Sequence, residues 1–212
     1  ISLGLVGSEM CIRDSSLGDV SEGRVLPFIM KEIYADSKNI SVGSFAYQRS
    51  DQVHALATNN LDFVVDPIIP RSDEINSEKV FEDDFVVMYR EGHDLSKIKD
   101  VSVDDILDQK HLHVSNRRRG LHLIDTELEK IGYRREVALR CQHFLIAPTI
   151  IQSTDLVLMG TRSFANRNNL PFAEIPLDIP SMEYFLIWHK NDEGDGGHIS
   201  VSYTHLTLPT KA

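Results

Sequence analysis

Apolar positions along this chain come in short groups whose spacing changes repeatedly between helical and alternating. Val25, Leu26, Ile29 and Ile33 recur at helical spacing and predict a helix in which Pro27 is tolerable only near the first turn. Ile40 and Val42 alternate with polar neighbours, as in a strand. Ser50 or Asp51 then stands where a cap is needed for a helix with Val53, Leu56 and Ala57 on one face. Leu61 to Val65 is a short apolar strand stopped by Asp66 and Pro67. After a polar loop, Phe85 to Tyr89 reads as another strand. The hydrophilic run Arg90, Glu91, Gly92, His93 that follows has the composition of a turn and suits a crossing between lobes.

The second half repeats the alternation. A short helix is predicted after Ser102, a strand around His111 to Ser115, and a helix with Leu121, Ile124, Leu128 and Ile131 facing inward. Val137 and Leu139 alternate as a strand, His143 to Gln152 is predicted helical despite Pro148, and Leu156 to Met159 is a buried strand. A helix near Arg162 to Asn166 and a strand around Phe172 to Ile175 lead to Pro176 and Pro180, and then to the apolar strand Tyr184 to Lys190. Repeated strand–helix alternation predicts parallel sheets covered by helices, an α/β protein.

The two ends stand apart from this pattern. Residues Met10 to Ser15, MCIRDS, can be encoded by ATG TGT ATA AGA GAC AG and one further base. The reverse complement of that stretch translates as VSYTH, which is Val201 to His205. This inverted pair resembles the translated ends of transposase-based sequencing-library adaptors. Residues 1–15 and 200–212 are therefore expected to be non-native tails, and the native segment an open fragment of about Ser16 to Ile199. The tail residues Cys11 to Ser15 are expected to fill the place of a first strand, because an unpaired sheet position recruits available backbone. The tail Val201 to Ala212 is expected to make few specific contacts.

Composition narrows the function. With 212 residues and 42% hydrophobic content, the chain is large enough for one sizeable domain or two small lobes. A formal net charge of −10 argues against this segment gripping a phosphate backbone. No stretch approaches the roughly 18 consecutive apolar residues of a membrane span, and the start lacks the basic-then-apolar order of a secretory signal. One cysteine outside the tails, Cys141, fits a reducing compartment, so a cytoplasmic location with no membrane partner is expected.

Several strings, in order, occupy almost the whole native segment: GDVSEGRVLP (Gly18 to Pro27), NNLDFVVDP (Asn59 to Pro67), FVVMYREGHDL (Phe85 to Leu95), HLHVS with GLHLID, YRREVAL (Tyr133 to Leu139), HFLIAPTIIQSTDLVLM (His143 to Met159) and LIWHK (Leu186 to Lys190). Together they resemble the regulatory domain of LysR-type transcription regulators, in particular the branch answering small aromatic effectors. The resemblance implies a type-2 periplasmic-binding-protein-like α/β fold, with two lobes of parallel-rich sheets joined by two crossing strands and an effector held between them. Lobe I would comprise residues 16–89 and 180–199, and lobe II residues 90–179, with crossings near Arg90 to Leu95 and Pro176 to Ser181. It also implies a homo-oligomer that meets DNA only through a winged helix-turn-helix preceding residue 16.

His143 and Phe144 match the HF pair of that branch, whose histidine contacts the effector; a histidine that merely caps or packs is the plainer alternative. Asp19, Ser21, Asp66, Ser115, Asn116 and Thr161 follow or end predicted strands, where ligand sites of α/β sheets gather, although each also suits an ordinary turn or cap. Arg117 to Arg119 reads as a solvated loop or as a clamp for a carboxylate. Trp188 reads as packing and His189 as a hydrogen-bonding residue near the hinge. His111 and His113 share one face of a strand, but no carboxylate lies at a recognisable ligand spacing, so no metal site is expected. No nucleophile elbow, Walker loop, dinucleotide fingerprint or zinc signature is present, and neither a cofactor nor catalysis is expected. The alternative function is a solute-binding protein of a transport system with the same fold, which an export signal in the gene would reveal.

Overall fold

The structure is a computed structural model that describes residues 11–36, 40–115 and 123–192. The chain opens with strand β1 (Cys11–Leu17), helix α1 (Asp19–Asp36), β2 (Ile40–Phe45), α2 (Arg49–Ala57), β3 (Phe63–Asp66) and β4 (Ile75–Asp83). It continues through β5 (Phe85–Met88), α3 (Val103–Leu107), β6 (Lys110–Val114), α4 (Leu123–Lys130), β7 (Glu136–Cys141), α5 (Ala147–Ser153), β8 (Leu158–Thr161), α6 (Arg162–Arg167), β9 (Phe172–Glu174) and β10 (Met182–His189). Two compact units result: one runs through Phe81 and resumes at Glu183, and the other is Glu82–Met182.

In the first unit five strands lie in the order β2-β1-β3-β10-β4. β1 is parallel to both β2 and β3, whereas β10 is antiparallel to β3. The residues Cys11 to Ser15, expected from the sequence to fill a first-strand position, do pair inside this sheet, with Cys11 opposite Ile40 and Ser15 opposite Phe63. Ser15 and Ser16 are buried there and both hydroxyls are engaged. Ser15 donates to the Gly43 carbonyl at 2.9 Å, and Ser16 accepts from the Tyr47 amide at 3.3 Å. Leu56, Leu61, Val64 and Ile187 pack together in the core behind the sheet.

Two helix starts differ from expectation. α1 begins at Asp19, so Pro27 lies inside the helix rather than in its first turn. Proline there removes one ladder bond at a cost of about 3 kcal/mol, and burial of Ser21, Val25 and Ile29 on one face holds the helix together across it. α2 is capped by the backbone of Gln48, not by Ser50 or Asp51, and buries Gln52, Ala55 and Leu56. Strand β4 replaces the polar loop that the polarity of its centre, Asn76 to Lys79, predicts before Phe85. It stands at the sheet edge, where such residues reach solvent.

The second unit holds two smaller sheets, β8-β5-β9 and β6-β7. β6 and β7 are parallel, while β5 is antiparallel to both its neighbours, so parallel pairing is less general than the alternation alone suggests. Val86, Val87, Met88, Leu112, Ile124 and Ile151 form its buried interior. Ser102 caps α3 in a reciprocal box with Asp105, as its position before the helix foretells. In α4, Ile124 and Leu128 are buried but Ile131 is half exposed at 50%, because the helix ends at Lys130. β5 pairs only within the second unit, so residues 82–89 group there rather than in the first lobe. Arg90 to His93 is a turn inside the second unit, with His93 Nδ1 accepting from the Leu95 amide at 3.1 Å. The chain passes between the units at Phe81/Glu82 and Met182/Glu183. A run such as FVVM reveals burial but not which sheet it joins.

Candidate functional site

In the second unit, three strand ends meet on one edge. β6 and β7 run parallel, and a parallel bridge between His111 and Val157 sets β8 in the same direction. Ser115, His143 and Thr161 therefore all follow or close strands at the same carboxyl edge, the position at which α/β sheets collect ligands. The Ser115 amide donates to the Cys141 carbonyl at 2.9 Å and extends the pairing of β6 and β7 by one step. His143 is exposed and extended, with φ −115° and ψ 132°, at the head of a 3-10 turn Phe144–Ile146 that its side chain does not cap. Phe144 packs edge-to-face on Phe164, with ring centroids 5.4 Å apart and planes at 71°. This contact ties the turn to α6, the helix that Thr161 precedes. Thr161 is buried, and among the described residues its hydroxyl has no hydrogen-bond partner.

In the first unit, Asp19, Ser21 and Asp66 lie at the carboxyl ends of the parallel strands β1 and β3. Asp19 is exposed in the first turn of α1, whereas Ser21 is buried on the helix face that carries Val25 and Ile29. Asp66 uses its carboxylate locally: Arg49 Nε lies 3.0 Å from both oxygens, and the Ile68 amide donates to Oδ1 at 2.8 Å. Asn116 and Arg117 to Arg119 lie outside the described residues. His189 Nδ1 accepts from the Asn191 amide at 3.3 Å.

Beside β6, the strand histidines His111 and His113 meet Arg135 and Asp125, two residues that the sequence does not single out. α4 ends through Gly132, whose φ of +83° lets Tyr133 donate to the Leu128 carbonyl at 2.8 Å and turns the chain back. Arg135 is thereby returned to Asp125 of the same helix, with Nε donating to Oδ1 at 2.6 Å and only 3% of its side chain exposed. Arg135 Nη2 lies 3.1 Å from His113 Nδ1, and because a guanidinium only donates, that nitrogen is the acceptor and the imidazole is neutral. Burial, Arg135 and Arg140 together hold His113 below the usual histidine range, against the opposing pull of Asp125. His111 is fully buried, and its ring Nε2 is 3.1 Å from the Ile106 carbonyl; burial first, then Arg135, pushes its pKa down to about 4. Among the described residues no group of three or more His, Cys, Asp or Glu side chains could hold a metal. The signal for this cluster was the pair of buried-strand histidines followed by YRREVAL. What the sequence hid was the turn at Gly132 that brings Arg135 to Asp125.

The model of the LysR substrate binding domain family matches residues 17–195. The chain belongs to this family. The HTH-type transcriptional activator NagR of a Ralstonia species is 22% identical over 201 residues, covering 93% of this chain and 66% of NagR. The chain thus spans just under two thirds of that relative's length. The regulatory domain of MexT, a transcriptional activator in Pseudomonas aeruginosa, superposes with a TM-score of 0.82 at 17% identity, over 96% of this chain and 100% of MexT's. The BenM effector-binding domain, solved with its effector benzoate, gives 0.74 at 13% identity, over 92% and 90% of the two chains. At these identities the likeness establishes the fold, which is that of LysR effector-binding domains with a periplasmic-binding-protein-like architecture.

Proposed function

We propose that this LysR substrate binding domain is the sensing part of a transcription regulator, which binds a small aromatic or carboxylated effector and conveys that binding to DNA-binding domains elsewhere in the intact protein. The observation that carries the reading is the family match across residues 17–195, on a chain with the two α/β units such a domain requires. The naming of NagR as a transcriptional activator supports regulation over transport, and benzoate in BenM supports the effector class. Asp19, Ser21, Asp66, Ser115, Asn116, His143, Phe144 and Thr161 are the proposed effector-lining residues. Exposed His143 and half-buried Phe144 offer a hydrogen-bonding ring beside an aromatic wall.

The intact protein is proposed to work in the cytoplasm as a homo-oligomer, with residues 1–15 and 200–212 foreign to it. No helix among the described residues is long and apolar enough to cross a membrane. An effector can shift the regulator only through unequal affinity for two arrangements, a coupling of about 1–3 kcal/mol in typical cases. The test is to titrate this chain with benzoate, salicylate and shikimate by calorimetry, and then to measure promoter-DNA binding by the intact gene product with each ligand that binds. Saturable binding that alters DNA occupancy or transcription supports the reading. An export signal upstream in place of a helix-turn-helix would establish the transport alternative instead.

A further inference from the structure

The second unit contains a small cavity, with room for about one water molecule, lined by Leu112, His113, Val114, Arg135, Phe144, Leu158 and Met159. Its walls come in part from β6 and from β8, which a parallel bridge between His111 and Val157 sets side by side. Arg135 brings to it a guanidinium with two of its three nitrogens already in use, Nε on Asp125 and Nη2 on His113. Its Nη1 is buried and, among the described residues, has no hydrogen-bond partner. A charged donor withdrawn from water without an acceptor is costly to keep. Among the described residues, the guanidinium groups of Arg135 and Arg140 and the carboxylate of Asp125 act on His113 beside the cavity. The chemistry that completes the site is one anionic oxygen acceptor.

We infer that Arg135 Nη1 is the anchor for a carboxylate oxygen of a small aromatic acid, whose ring rests against Phe144. This inference rests on the reading of the chain as a small-molecule sensor and adds to it a specific subsite inside the second unit. The cavity takes an oxygen and not a ring, and Phe144, half-buried and braced by Phe164, supplies the surface on which the ring lies. Neutral His113 gives the anion no competing charge and keeps Nη2 occupied, so the ligand meets Nη1. An uncharged amide of the same shape forfeits the charge-assisted bond, a loss of tenfold or more in affinity.

The experiment follows the Arg135 guanidinium nitrogen resonances of this chain by NMR during titration with benzoate and, separately, benzamide. Calorimetry on the parent chain and on Arg135→Lys accompanies it. The expected result is a benzoate-dependent shift of the Arg135 signals, little shift with benzamide at equal concentration, and at least about tenfold weaker benzoate binding by Arg135→Lys. If Arg135→Lys fails to fold, the resonances of the parent chain decide alone. Saturating benzoate that leaves those resonances unmoved, or equal affinity in a folded Arg135→Lys, overturns the subsite while leaving the sensor reading intact. So does an absence of benzoate binding at millimolar concentration, in which case the cavity holds water only. The sensor reading itself is tested separately, and fails if no small acid alters the intact protein's DNA binding or if an export signal stands upstream in place of a helix-turn-helix.

Discussion

Arg49 grips Asp66 through a fork, with Nε 3.0 Å from each carboxylate oxygen and Nη2 2.8 Å from Oδ1. Arg49 opens α2 and Asp66 closes β3, so the pair fastens a helix start to a strand end. The Ile68 amide shares Oδ1 and fixes the turn that follows.

From this, Asp66→Ala is expected to lower stability by about 0.5–1.5 kcal/mol, since it removes the acceptor of a part-exposed guanidinium and of the Ile68 amide, both of which water can still reach. Urea unfolding of the variant checks the value. A loss of effector affinity with unchanged unfolding would show instead that Asp66 acts on the ligand directly.

Thr161 should behave in the opposite way. Its buried hydroxyl lacks a partner among the described residues, and valine keeps the shape while removing the oxygen. Thr161→Val is expected to hold or raise stability, by up to about 1 kcal/mol, and to weaken effector binding if the hydroxyl serves the ligand. A thermal melt paired with calorimetry separates the two effects, and a marked drop in melting temperature would mean that the hydroxyl is satisfied in the folded chain.

Buried His111 makes stability depend on pH. The folded protein takes up this proton only near pH 4, whereas the unfolded chain takes it up near 6.5. The stabilisation is therefore complete above about pH 6.5 and is lost as pH falls towards 4, on the order of 3 kcal/mol over the full interval. His113, also lowered, acts in the same sense. Unfolding midpoints at about pH 7.5 and about pH 5 should differ less in His111→Gln than in the parent chain; an equal difference in both would place the titration elsewhere.

His143→Ala in the intact regulator is expected to weaken the effector response without altering DNA binding, because the ring is exposed at the head of its turn and does not cap that turn. An unchanged dose–response curve with the cognate effector would reduce His143 to a turn residue.

The sequence disclosed most where side chains are buried on both faces. Val64, Val65 and Leu186, Ile187 are in the core of the first sheet, and their apolar runs mark β3 and β10 without ambiguity. It disclosed least where a partner decides the outcome. β4 hides its backbone pairing behind polar residues at an edge, and β5 carries no sign of the unit it joins. Pro27 drew the start of α1 too late, because the helix tolerates in its interior a residue that the local rule confines to an end. For the site, Ser115, His143 and Thr161 were legible as strand ends, and the structure puts them on one edge. Arg135 was not legible, since its importance arises from a buried ion pair reached only through the left-handed turn at Gly132.

The placing of β10 between β3 and β4 has a consequence for how the protein is made. During synthesis β3 and β4 leave the ribosome before the second unit, the whole of which must follow before Met182–His189 can enter the sheet. At ordinary elongation rates that interval is on the order of ten seconds. Throughout it β3 and β4 each present an unpaired edge to the cell, while the second unit, being continuous in sequence, is free to fold. The first unit is thus begun first and finished last, and the nascent chain is most open to misassociation in the interval before its final strand arrives.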